Sequence, residues 1–75
     1  MAFVTNKSGK SVSVDILKID NTGTYTYMGD ADPGTATSAD AWSISRVTNA
    51  SGDILFAAGG EFSQIWDNRA SLSYA

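Results

Sequence analysis

The chain predicts a mainly β fold, a small antiparallel β-sandwich or barrel of two hairpins with one short helix near the C-terminus. Three observations carry that expectation. Apolar residues alternate with polar ones in segments rich in β-branched and aromatic side chains, the pattern of half-buried strands. Two clusters of turn formers, Asp20-Asn21-Thr22-Gly23 and Asn49-Ala50-Ser51-Gly52, each separate a pair of such segments. Only one stretch departs from period two. Phe62, Ile65, Trp66 and Arg69 fall at i, i+3, i+4 and i+7, one stripe of a helix, with Glu61 at its start and Arg69 at its end as the helix dipole favours.

The elements follow in order. Ser11 to Ile16 alternates strictly, placing Val12, Val14 and Ile16 on one face. Leu17 and Ile19 then fall on the other face, which predicts a strand covered on both sides or bulged near Leu17. After the turn at 20–23, Thr24 to Met28 returns with Tyr25 and Tyr27 on one face, closing a hairpin over residues 12–28. Gly29 to Asp40 holds the single proline, in Asp32-Pro33-Gly34, and is expected to be a long surface loop. Ala41 to Thr48 is the next strand, with Trp42 and Ile44 in phase and Val47 out of phase, a slip that predicts a bulge near Arg46. Asp53 to Ala58 pairs with it, with Ile54, Phe56 and Ala58 on one face. Gly59-Gly60 ends the strand and opens a helical turn within 61–70. Ser71 to Tyr74 alternates and is long enough for a final strand.

The expected core is therefore Val12, Val14, Ile16, Trp42, Ile44, Ile54, Phe56, Phe62, Ile65 and Trp66. Its 75 residues form a single domain, 1–75, with no linker and no internal repeat. A chain of this size buries only roughly 60% of its unfolded surface, so it is marginal without a staple. Cysteine and histidine are both absent, which removes disulfides and the usual zinc sites. Oligomerisation, or docking on a larger assembly, is the staple that remains.

Composition also narrows the function. The net charge is −3, and the five cations Lys7, Lys10, Lys18, Arg46 and Arg69 are scattered, which argues against nucleic acid. Apolar runs are as short as Ile54 to Ala58, so no membrane span is expected. The N-terminus lacks a charged segment followed by an apolar one, so no secretory signal is expected.

Without His or Cys, nucleophilic catalysis would need a Ser-Lys or Ser-carboxylate arrangement. Ser8, Lys10 and Ser11 are neighbours in a turn-like stretch, which reads better as solvated loop. Paired carboxylates of glycosidase type need a cleft that so small a chain has little room for. Asp30-Ala31-Asp32 looks like the start of a calcium loop, yet Pro33-Gly34 and the missing downstream Glu break that pattern. Asn6-Lys7-Ser8 and Asn49-Ala50-Ser51 fit the glycosylation pattern and read as turns. Gly59-Gly60 has no Lys-Ser/Thr after it, and Glu61 would repel a phosphate. The expectation is no enzyme, no catalytic, cofactor or metal site, and no cofactor.

Binding is what remains. Aromatics make up 11% of the chain, and Trp and Tyr serve equally as hot spots and as core filler. Trp42, Phe56, Phe62 and Trp66 are assigned to the core; Tyr25, Tyr27 and Tyr74 fit either role. Arg46 projects from an otherwise apolar strand face and needs a carboxylate or an aromatic plane. For Arg69, which Asp67 is too close in sequence to face well, Asp53 or an acid of a partner chain is the expected counter-charge. Residues proposed to contact partners are Leu17, Ile19, Tyr25, Tyr27, Leu72 and Tyr74, with Arg46 and Arg69 as charged members.

These residues also carry a resemblance. Tyr27-Met28-Gly29-Asp30-Ala31-Asp32-Pro33-Gly34, Ala36-Thr37-Ser38, Trp42-Ser43-Ile44-Ser45-Arg46, Gly59 to Phe62, and Trp66-Asp67-Asn68-Arg69-Ala70-Ser71-Leu72-Ser73-Tyr74 together resemble a family of small tailed-bacteriophage proteins. Its pattern is Trp-x-Ile-x-Arg followed by Phe-x-x-x-Trp-Asp-x-Arg-x-Ser-Leu, and the likeness covers residues 25–75. Phe56 stands where members often have Trp or Tyr. The resemblance implies a virion structural protein present in many copies: capsid decoration, or a tail, adaptor or fibre-region component. Its partners would be itself, as a homo-oligomer, and other virion proteins, after synthesis in the host cytoplasm. The alternative is a small host-directed binding module or inhibitor acting in the infected cell.

Overall fold

Strands begin at Phe3–Thr5 (β1) and Ser11–Ser13 (β2), which pair antiparallel as a two-stranded sheet. The computed structural model describes residues 3–5, 11–13 and 15–75, with side chains from Leu17 onward. A second, four-stranded antiparallel sheet runs in the order β3-β4-β5-β6, formed by Asp15–Asn21, Tyr25–Ala31, Ser43–Thr48 and Ile54–Phe56. The chain is thus mainly β. The four-stranded sheet is open rather than closed, so the barrel is corrected to an open sheet. The continuous strand expected over 11–16 is divided between the two sheets, because alternation shows which residues share a face but not which strand they pair with. Val14 lies outside the described residues, as do the side chains of Val12 and Ile16.

Local chemistry sets both hairpins of the larger sheet. In the first, Asn21 Oδ1 accepts from Gly23 N–H at 2.9 Å and Thr22 N–H donates to Tyr25 O at 2.8 Å, as expected of residues that bond their own backbone. In the second, Gly52 N–H donates to Thr48 O at 2.7 Å. Asn49 ties the two turns together. Its side chain donates to Asn21 Oδ1 at 3.0 Å and Gly23 O at 3.1 Å, and accepts from the Thr26 hydroxyl at 2.7 Å.

The bulge expected at Leu17 is present, as a register shift between Ile16 and Lys18. None occurs near Arg46. Pairing of β4 with β5 is unbroken from Tyr25↔Thr48 to Asp30↔Ser43, and Val47 simply faces the other side. The expected loop shortens too, since β4 continues to Ala31.

Among the described residues, the buried core lies on one face of the sheet. Tyr27, Ala31, Trp42, Ile44, Ala57 and Trp66 form the buried core, with Tyr25, Leu72 and Tyr74 packed at its margin. Two indoles occupy its centre, with ring centroids 5.8 Å apart. They need a shallow floor. A Cβ on Gly29 would lie 2.5 Å from Cε3 of Trp66, so glycine is required there by close approach rather than by backbone angle. Trp42 is held from three directions. Its indole N–H donates to Ala36 O at 2.9 Å, and its backbone exchanges bonds of 2.9 and 3.0 Å with Gln64.

That bridge shortens the expected helical turn to its second half. With Gln64 paired to Trp42, the backbone of 61–65 turns, Ala58–Gly60 forms a tight turn at positive φ, and right-handed helical geometry is confined to the 3-10 segment Trp66–Ser71. Six residues are too few for a stable α-helix and suit the tighter form. Phe62 leaves the stripe and stands 52% exposed, whereas Trp66 is buried. Ile54 and Phe56 are likewise corrected from core to surface. Arg46 pairs with Leu55 and Ala57 N–H bonds to Ile44 O, which places Leu55 and Ala57 on the covered side. A one-residue change of register moves every side chain to the opposite face, and here it is Ala57 rather than Phe56 that is buried.

Candidate functional site

The eight residues proposed as partner contacts separate onto the two faces of the sheet. Six of them meet on the covered face. Tyr27 is buried in the core, and its ring centroid lies 6.2 Å from that of Tyr25 and 6.0 Å from that of Tyr74. The Arg46 guanidinium lies over the Tyr25 ring at 4.4 Å and the Tyr74 ring at 4.6 Å. Leu72 packs beside them. Arg69 is fully engaged: Nε donates to Asp20 Oδ2 at 3.0 Å, Nη1 donates to Trp66 O at 3.2 Å, and the guanidinium lies 4.7 Å over the Trp66 ring. Tyr27 therefore points inward, and Arg69 takes its acid from its own chain. Asp20, 49 residues away, supplies it instead of Asp53 or a partner. Such a half-exposed ion pair is worth at most about 1 kcal/mol, so its role is to orient the 3-10 segment.

Tyr74 anchors the tail. Its hydroxyl donates to Arg69 O at 2.7 Å, and Ala75 exchanges two backbone bonds of 3.1 Å with Phe56, so the tail pairs with β6 as a short bridge rather than as a full strand. Burial pushes the Tyr74 phenol up to about 12, with Tyr27 adding to the shift and Arg46 and Arg69 opposing it. The folded state therefore holds this proton where the unfolded chain, near pKa about 10, has released it. Stability from Tyr74 is complete below pH about 10 and is lost as pH rises from about 10 to about 12. Urea unfolding across that range should show a fall in midpoint that is smaller in Tyr74→Phe. An equal fall in the variant would assign the effect to other groups.

The opposite face exposes large apolar side chains. Register places Ile19, Met28, Ser45 and Phe56 in one row across the four strands, and Asn21, Thr26, Val47 and Ile54 in the next. Ile19 is 67% exposed, Ile54 53% and Phe56 45%. Neither row contains a charged residue. Leu17, at the bulge, is also exposed. Of the expected contact residues only Leu17 and Ile19 belong to this side; Met28, Val47, Ile54 and Phe56 were not anticipated there. The signal that could have found them is the run Ile54-Leu55-Phe56-Ala57, apolar throughout and so certain to leave large groups on a second face.

Elsewhere, Asp32, Thr35, Ala41 and Phe62 line a shallow hollow of about 280 Å³. Among the described residues no three acidic side chains converge as metal ligands, and no helix is long and apolar enough to cross a membrane. A comparison with family models, curated proteins and solved structures gives no match.

Proposed function

We propose that this chain is a bacteriophage virion structural protein, in capsid decoration or a tail, adaptor or fibre-region role, that acts by multicopy protein–protein assembly. The observation that carries the reading is the pair of uncharged rows bearing Ile19, Ile54 and Phe56 on the exposed face of the sheet. Three large apolar groups more than two-fifths exposed on one flat sheet are a liability for a solitary protein and an asset for an assembled one. The occupant that fits is a second copy. The rows bearing Ile19, Ile54 and Phe56 hold no charged residue, and Asp30 lies in the next row of that face, so a contact centred on those two rows brings no like charges together although each chain carries −3 overall. The resemblance of residues 25–75 to tailed-phage proteins supplies the virion context.

Association that couples to folding raises the melting temperature with protein concentration. Ile19→Lys should abolish that dependence while leaving the dilute protein folded, because an exposed substitution alone changes stability by only about 0.5 kcal/mol. A wild-type melting temperature independent of concentration would overturn self-association. Mass spectrometry of purified phage particles tests the context: the chain should be present at a copy number matching a symmetry order. Its absence would favour a host-directed binding module.

A further inference from the structure

The two arginines of the covered face differ in one respect. Arg69 is paired with a carboxylate, a backbone carbonyl and an indole. Arg46 has only the faces of Tyr25 and Tyr74. Its Nε is buried and has no acceptor; its two terminal nitrogens are not sealed, and they too bond to nothing in the described chain. No described carboxylate lies within ion-pair distance of it, in a chain with eight acidic residues. Tyr74 supplies no counter-charge, since its phenol stays neutral at pH 7.

The physical consequence is a preformed receptor. A free arginine loses considerable rotamer freedom when it binds. Here that cost is met in folding, because β5 fixes the backbone and two aromatic rings fix the guanidinium plane. A guanidinium carries its N–H groups in a planar fork that accepts both oxygens of a carboxylate side by side, and none of those of Arg46 is taken by the described chain. The rings also keep water from part of the guanidinium, which strengthens its attraction for an anion. A phosphodiester backbone is a poor alternative on a chain of net charge −3.

We infer that Arg46, held over Tyr25 and Tyr74, is a binding site for a carboxylate, the side chain of an Asp or Glu on a partner protein. The site is on the opposite side of the sheet from the apolar face and does not depend on that face being an interface. It gives the molecule two contacts of different chemistry, an apolar one that provides area and a charged one that selects a partner.

The test is a titration of the ¹⁵N-labelled wild-type chain, following the Arg46 Nε–H signal and the ring protons of Tyr25 and Tyr74. The probes are an acetylated, amidated Gly-Glu-Gly peptide, its Gly-Gln-Gly counterpart, acetate and inorganic phosphate. The glutamate peptide should move the Arg46 and tyrosine signals saturably, at least tenfold more tightly than the glutamine peptide. Arg69, already paired with Asp20, should not respond. Arg46→Gln should abolish the response and Arg46→Lys should weaken it, since an ammonium cannot present a fork. Acetate matching the peptide would keep the carboxylate chemistry and assign the site to a free carboxylate rather than to a partner's side chain, overturning that part of the inference. No saturable shift, equal binding of the glutamine peptide, or tighter binding of phosphate would overturn it altogether. The wild-type titration decides even where a variant fails to fold, and its outcome is independent of the oligomer measurements.

Discussion

Trp66→Ala is expected to leave this protein largely unfolded at room temperature. The indole is 5% exposed, stacks near Trp42, roofs Gly29 and carries the Arg69 guanidinium on its face. Removing a buried tryptophan from a packed core costs about 3–5 kcal/mol. A chain of 75 residues has roughly 4–11 kcal/mol in total, at 0.05–0.15 per residue. The loss is therefore comparable with the whole stability at the lower end. Directly beneath it Gly29 has no side chain to fill the space. Circular dichroism and urea unfolding would measure the effect. A variant that kept its unfolding midpoint would show that Trp66 contributes little to the core.

Gly29→Ala should be almost as damaging, which is the reverse of the usual rule. In a strand, replacing glycine by alanine ordinarily gains about 0.5–1 kcal/mol by restricting the unfolded chain. Here the new methyl would lie 2.5 and 2.7 Å from two ring carbons of Trp66 and 3.0 Å from one of Trp42. Both indoles are locked, one by its hydrogen bond to Ala36 O and the other by the Arg69 contacts, so neither can step aside without breaking those bonds. Overpacking of this kind costs about 1–3 kcal/mol or more, which exceeds the entropic gain. The two substitutions should also be coupled. In the Trp66→Ala background the methyl has room, so Gly29→Ala should become neutral or stabilising there. A double-mutant cycle giving simple additivity would show that the close approach does not determine the cost.

Both expectations concern a contact absent from any local pattern. Gly29 reads as the start of a loop, since it precedes Asp30 and the only proline. It becomes the floor of the core because β4 continues to Ala31 and brings Gly29 opposite Ile44. Similarly, Phe62 and Trp66 look equivalent on a helical wheel. Their separation follows from Gln64 pairing with Trp42, a backbone bond across 22 residues that outweighs the weak helical preference of a short segment. Ile54 and Phe56 were assigned to the core for the same kind of reason. Alternation identifies two faces, and in an apolar run it does not say which one is covered.

What the sequence alone determined is the local part. The mainly β class, the turns at Asn21–Gly23 and Asn49–Gly52, the bulge at Leu17, and the pairing of Trp42 with Ile44 all rest on chemistry within a few residues. Turn formers bond their own backbone, and period-two alternation needs no knowledge of the partner strand. Tertiary structure alone decided which face is filled. The two indoles leave no room for a Cβ at Gly29, and the register that sets Arg46 opposite Leu55 sends Ile54 and Phe56 outward. The same packing placed Arg69 beside Asp20 and left Arg46 with aromatic rings and no acid. Long-range pairing and volume, rather than residue type, separated the paired arginine from the unpaired one.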